Sequence, residues 1–121
     1  MTRQMSFTKI QQEITPAFRQ RMDHAESTED IKKFFVHSMQ DLFSRALESD
    51  IPVEYEEITL EPESEHGFML ADSLMGRDSF YQTWTQSDLP SIVGYFAQYA
   101  VKRFRHLERN PGSDYFHQKQ R

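Results

Sequence analysis

The stretch from Pro52 to Thr85 constrains this chain most, because it holds three short runs of extended character separated by polar, glycine-bearing links. Val53 and Tyr55 alternate with Glu54 and Glu56, the period of two expected of a strand with one buried face, whereas Ile58 and Leu60 fall on the opposite phase. An extra residue at Glu56 and Glu57, a β-bulge, would return all four apolar side chains to one face. The second run, Phe68-Met69-Leu70-Ala71, is apolar on both faces, which suits a central strand better than an edge. The third, Phe80-Tyr81-Gln82-Thr83-Trp84-Thr85, is rich in aromatic and β-branched residues. Glu63-Ser64-Glu65-His66-Gly67 and Met75-Gly76-Arg77-Asp78 have the character of hairpin connections. The expectation is a three-stranded antiparallel meander.

Helical patterns flank it. Phe7, Ile10, Ile14, Phe18 and Met22 recur every three or four residues, with Pro16 interrupting the stripe. Thr15 followed by Pro16 reads as a cap and a first helical position, so a second short helix is expected to start there, after a weaker one. Ser27-Thr28-Glu29-Asp30 supplies a cap with acids in the first turn. Ile31, Phe34, Phe35, Met39, Leu42, Ala46 and Leu47 follow as a broad apolar face to about Ser49, and Ile51-Pro52 turns the chain into the first strand. Ser87 or Asp88 caps a last long helix with Pro90 in its first turn and a stripe of Leu89, Ile92, Val93, Phe96, Ala100, Phe104 and Leu107. Asn110-Pro111-Gly112 stops it.

The fold class expected is therefore α+β: two layers, helix, three-stranded antiparallel meander, helix (αβββα), preceded by a helical N-terminal segment. Residues 1–26 form that segment, 27–110 the αβββα domain and 111–121 a polar C-terminal tail.

Composition sets limits on function. Apolar content of 37% with 27% charged residues suits a globular chain of 121 residues with its own core. No run approaches the roughly 20 apolar residues of a membrane helix, and Met1-Thr2-Arg3-Gln4-Met5-Ser6 lacks a signal peptide's hydrophobic segment, so a cytoplasmic location is expected. With no cysteine, disulfides, thiolate metal sites and thiol nucleophiles are excluded. The net charge of −5 opposes non-specific attraction to nucleic acid or anionic lipid. Its distribution is uneven. Glu48, Asp50, Glu54, Glu56, Glu57, Glu61, Glu63 and Glu65 form an acidic stretch without Lys or Arg, while Lys102, Arg103, Arg105, Arg109, Lys119 and Arg121 dominate the end of the chain.

No catalytic or cofactor motif stands out. His66 with Glu63 and Glu65 is the nearest approach to a metal or acid–base cluster, yet neither His-x-His nor His-Glu-x-x-His spacing occurs. His37 and Asp41 lie one helical turn apart, the spacing of a surface pair. Ser73, Ser79 and Ser91 lack a Gly-x-Ser-x-Gly elbow, and four glycines form no phosphate-binding loop. No catalytic, metal or cofactor-binding residue is assigned, no cofactor is expected, and the reading leans against an enzyme. The surface of interest is a band of Tyr95, Tyr99, Lys102, Arg103 and His106 on the last helix, where aromatics interleave with cations and Tyr99 with Arg103 permits a cation–π contact. Trp84 reads as an anchor at the edge of the core.

The order α-β-β-β-α resembles that of double-stranded RNA-binding domains. Those domains grip phosphates with a lysine cluster at the start of the last helix, whereas here the stretch is Ser87-Asp88-Leu89-Pro90-Ser91 and the first strand is acidic. The resemblance stops at the order, and the function is not carried over.

The sequence thus points to an oligomeric interaction or regulatory module, most simply a homodimer, with Tyr95 to His106 facing a protein partner. Self-association is expected through Phe7, Phe18 and Met22 of the N-terminal arm, joined there by Met5, and through Met69 and Ala71 of the sheet. Two rival classes follow from the same residues: a nucleic-acid-binding domain using the basic C-terminal helix, and a small carboxylate-dependent enzyme using the acids of the meander.

Overall fold

The computed structural model describes residues 5–47 and 52–109. Ser27 opens the central helix as its sequence demands: its hydroxyl accepts the Asp30 N–H at 3.1 Å, and Glu29 and Asp30 occupy the positive end of the dipole. This helix, α2 (Thr28–Ala46), buries Ile31, Phe35, Met39, Leu42 and Phe43. It packs against both α1 (Thr8–His24) and α5 (Leu89–Arg109), and α1 also touches α5, so three long helices enclose the core. Val36, Ile92, Val93, Phe96, Ala97 and Ala100 complete its centre.

The sheet is smaller than expected. It has two antiparallel strands, β1 (Ile58–Leu60) and β2 (Phe68–Leu70), paired Ile58 with Leu70, Thr59 with Met69 and Leu60 with Phe68. The architecture is broadly α+β but mostly helical, and the three-stranded meander gives way to a hairpin followed by helices. The Phe80–Thr85 run, read as a third strand, lies in helix α4 (Asp78–Thr85). A strand would send Phe80, Gln82 and Trp84 to one face, whereas the helix puts Phe80 and Trp84 one turn apart. Their rings stack at 5.6 Å and both meet Phe43, at 5.4 and 6.3 Å, while Gln82 stays in solvent. Tertiary burial of this aromatic pair outweighs the β-propensity of the run. The connection read at Met75 to Asp78 is a real turn, but it joins the one-turn helix α3 (Asp72–Met75) to α4. The likeness in element order to RNA-binding domains ends with the lost strand.

Two further expectations are corrected. The change of phase after Tyr55 is absorbed by a 3-10 turn over Tyr55–Glu57, not by a β-bulge, and the strand begins only at Ile58. Tyr55 faces solvent, Val53 is half-buried, and Ile58 and Leu60 enter the core. At Pro16, one continuous helix replaces the two expected. Pro16 is exposed, bordering a shallow recess with Tyr95 of α5, and the Thr15 hydroxyl donates back to Gln11 O at 2.6 Å instead of opening a new helix.

The hairpin turn at Glu63 to Gly67 is as read. Ser64 Oγ donates to Glu61 O and accepts the Gly67 N–H, and Gly67 takes φ +85°. A side chain there would be doubly opposed, by the left-handed backbone and by Val101 Cγ2, 3.3 Å from the Cβ position. The ends expected at Ser49, Ile51 and Asn110-Pro111-Gly112, and the C-terminal tail, lie outside the described residues.

Candidate functional site

Hydrogen bonding in the hairpin decides which groups are left over. Ala71 N–H donates to Glu57 O at 2.9 Å and Glu61 N–H to Gly67 O at 2.8 Å. Together with the Thr59–Met69 register these are the bonded pairs of the ladder, so Phe68 and Leu70 direct their N–H and C=O away from β1. Among the described residues no partner meets those outward groups. β2, expected as a central strand, is an edge.

Beside this edge runs a groove of about 540 Å³. Phe68 and Leu70 form one wall, Pro90, Gly94 and Gln98 of α5 the other, and Met75 and Trp84 close it, with Ser64, Glu65 and His66 at one end. Pro90, Gly94 and Gln98 are four residues apart, so one face of α5 borders the groove. Met69, between Phe68 and Leu70, also borders the groove, and its side chain, alternating with theirs, is 56% exposed. The chain matches no protein-family model, no curated protein and no solved structure in comparison.

The remaining residues named for self-association sit elsewhere. Phe18 and Met22 are 1% and 0% exposed, held in the core of their own protomer by α2 and α5, and Phe7 is half-buried against it. α1 thus lies on the helices and leaves the outer sheet face with Met69 uncovered among the described residues. Met5 joins Ser87 through a short parallel bridge, and Ala71 is half-buried, its N–H used in the ladder.

The aromatic and basic band of α5 is drawn largely into contacts with α1. Arg19 donates to Tyr95 Oη at 2.7 Å and lies over the Tyr99 ring at 5.7 Å, so the cation facing Tyr99 is Arg19, not Arg103 as the spacing implied. Tyr99 Oη donates to Asp23 at 3.3 Å, and Arg103 Nε donates to Met22 O at 3.1 Å. Burial and the Asp23 charge raise the Tyr99 phenol above its ordinary value, against the pull of Arg19 and Arg103. Tyr99, Lys102, Arg103 and His106 do line one shallow recess of about 310 Å³.

The pairs considered for chemistry do not assemble. Asp41 bonds Arg45 at 3.3 Å, while His37 meets the edge of Tyr55 at 5.6 Å. Glu63 is drawn to Arg105 at 3.7 Å, and His66 lies beside Phe68. Among the described residues no three His, Asp or Glu side chains converge as a metal would require, and no helix is long and apolar enough to cross a membrane.

One carboxylate that the sequence did not single out is buried. Glu57, 5% exposed, accepts the Glu54 N–H at 3.0 Å, the Ser73 hydroxyl at 2.7 Å and the Arg77 guanidinium at 3.0 and 3.2 Å. Burial pushes its pKa up, but these hydrogen bonds and the Arg77 charge outweigh that and hold it below its ordinary value of 4.5. A carboxylate so fully occupied has no lone pair to offer a substrate. It fastens the 3-10 turn to α3 and to Arg77, which also bonds Pro52 O. Nothing in sequence spacing relates Glu57 to Arg77. Gly94 also went unnoticed, although a glycine inside a long amphipathic helix was a signal in its own right.

Proposed function

We propose that this protein is a non-enzymatic interaction module whose working surface is the outer edge of β2 together with the groove between β2 and α5. The groove takes up an extended segment of polypeptide, which adds as a strand to the sheet. Main-chain hydrogen bonds to Phe68 and Leu70 supply affinity, and alternate apolar side chains of the bound segment enter the groove. The observation that carries this reading is the coincidence, on one short strand, of main-chain groups left without partners among the described residues and an apolar groove bordering them. An open edge is ordinarily covered or charged, and β2 here carries Phe68, Met69 and Leu70. The basic band of α5 is proposed as a secondary surface for an acidic partner, supported by the recess at Tyr99, Lys102, Arg103 and His106.

The test is selection of a displayed random peptide library on the protein at nanomolar concentration. Enriched peptides are expected to carry apolar residues at alternate positions and to slow hydrogen exchange at the Phe68 and Leu70 amides. Failure to recover binders, or binders that leave both amides exchanging as before, overturns the reading.

A further inference from the structure

Gly94 lies in the middle of α5, where glycine costs a helix about 1 kcal/mol relative to alanine. Nothing among the described residues asks for it. Its φ is not left-handed, and a Cβ built on it meets no atom of those residues within 4 Å. The same residue borders the groove beside β2. A glycine that no internal contact requires, on the wall of an apolar groove, marks a place where something from outside approaches the helix backbone closely.

We infer that the occupant is a second copy of this chain, its β2 paired antiparallel with the first across a two-fold axis at Met69. The inference rests on the strand-accepting reading of the groove and names its partner. Three features of the chain support a copy of itself. First, Phe68 and Leu70 are spaced symmetrically about Met69 and both face outward, so Phe68 of each copy sits opposite Leu70 of the other as a bonded pair. That register gives every outward N–H and C=O of the two residues a partner on both copies at once, and the interface closes on itself. Second, residues opposite each other in an antiparallel pair share a face of the sheet. Phe68 and Leu70 of one copy therefore enter the groove of the other, where Met75, Trp84 and the space above Gly94 receive them. Third, Met69 meets its own counterpart across the non-bonded position, with Cα atoms about 4.5 Å apart, and loses its exposure on the uncovered sheet face. A shift of one residue would turn both apolar side chains away from the grooves.

The chain has no cysteine, so one introduced thiol reports on the axis without interference. M69C is expected to form an intermolecular disulfide under mild oxidation, because the separation at the axis falls within the roughly 4.4–6.8 Å that a disulfide spans. T59C, on the same face but one strand further from the axis, is expected to remain reduced. Light scattering at high micromolar concentration is expected to give twice the 14.4 kDa protomer mass. G94L, whose Cβ has open space and whose side chain occupies the groove, is expected to return the protein to the protomer mass while circular dichroism shows the fold intact. A protomer mass for the unmodified chain overturns the inference, as does a doubled mass that G94L leaves unchanged or that M69C fails to cross-link. In each of those cases the peptide selection still decides separately whether the groove accepts a strand.

Discussion

The carboxylate of Asp88 accepts the backbone N–H of Phe7 at 2.8 Å across 81 residues of sequence, and so places the start of α1 beside the start of α5. Ser6 and Thr8 add their hydroxyls to the same carboxylate at 2.9 and 3.3 Å, and Asp88 N–H returns a bond to Met5 O. Of the two residues expected to cap α5, Ser87 and Asp88, it is the Ser87 Oγ that accepts the Leu89 N–H, at 3.2 Å, while the Asp88 carboxylate serves the N-terminus of α1. D88A is expected to destabilise the protein by about 1–2 kcal/mol, the range of a lost helix cap, measured as a lower midpoint in urea.

Acid should weaken the same fastening. Burial raises the Asp88 pKa, but bonds from Phe7, Ser6 and Thr8 bring it below its ordinary value of 3.8, and Glu57 lies below 4.5 for the reasons given above. A carboxylate whose folded pKa is depressed adds stability above its ordinary value and loses it as pH falls through the folded value. Urea midpoints are therefore expected to decline as pH drops below 4.5 and further below 3.8. E57Q and D88N should each flatten part of that decline, and an unchanged slope in both variants would refute the assignment.

Glu57 and Arg77 hold the entry to the hairpin. E57Q retains the shape of the side chain but leaves the Arg77 guanidinium without its counter-charge, at an expected cost of about 2 kcal/mol. The figure stays below that of a fully buried pair because the Arg77 side chain is 37% exposed. Thermal unfolding of E57Q, R77M and the double variant would give the coupling directly, with the double variant expected to lose less than the sum.

Pro16 offers a gain. It removes one N–H from the interior of a helix that nevertheless continues, so P16A should restore a bond to Gln12 O and raise stability by about 1–2 kcal/mol with the same helical content. A loss of stability in P16A would mean that the proline ring contributes packing not apparent from its exposure.

The helical state of residues 78–85 can be checked by contrast. F80A should cost about 3–5 kcal/mol because its ring is wholly enclosed between Phe43 and Trp84. Y81A, on the exposed side, should stay within about 0.5 kcal/mol of the unmodified chain. Comparable losses in both would contradict this packing.

What local sequence determined is visible in α2 and α5. Ser27 with two following acids specified where α2 starts, and apolar residues at helical spacing specified which faces Ile31, Phe35, Met39, Leu42, Ile92, Val93 and Phe96 would bury. The turn at Gly67 was likewise written locally, because only a backbone able to take φ +85° closes it. Phe80 to Thr85 could be read as strand or helix, since a short aromatic run satisfies both periods, and only the position of Phe43 across the core selected the helix. With that strand gone, β2 became an edge and its groove opened. Pairings such as Glu57 with Arg77 and Asp88 with Phe7 join residues far apart in the chain, and no periodicity records them. Local backbone preference acts over a few residues, so it fixed the long elements, whereas contacts between distant segments decided the ambiguous run, the fastenings and the exposed edge.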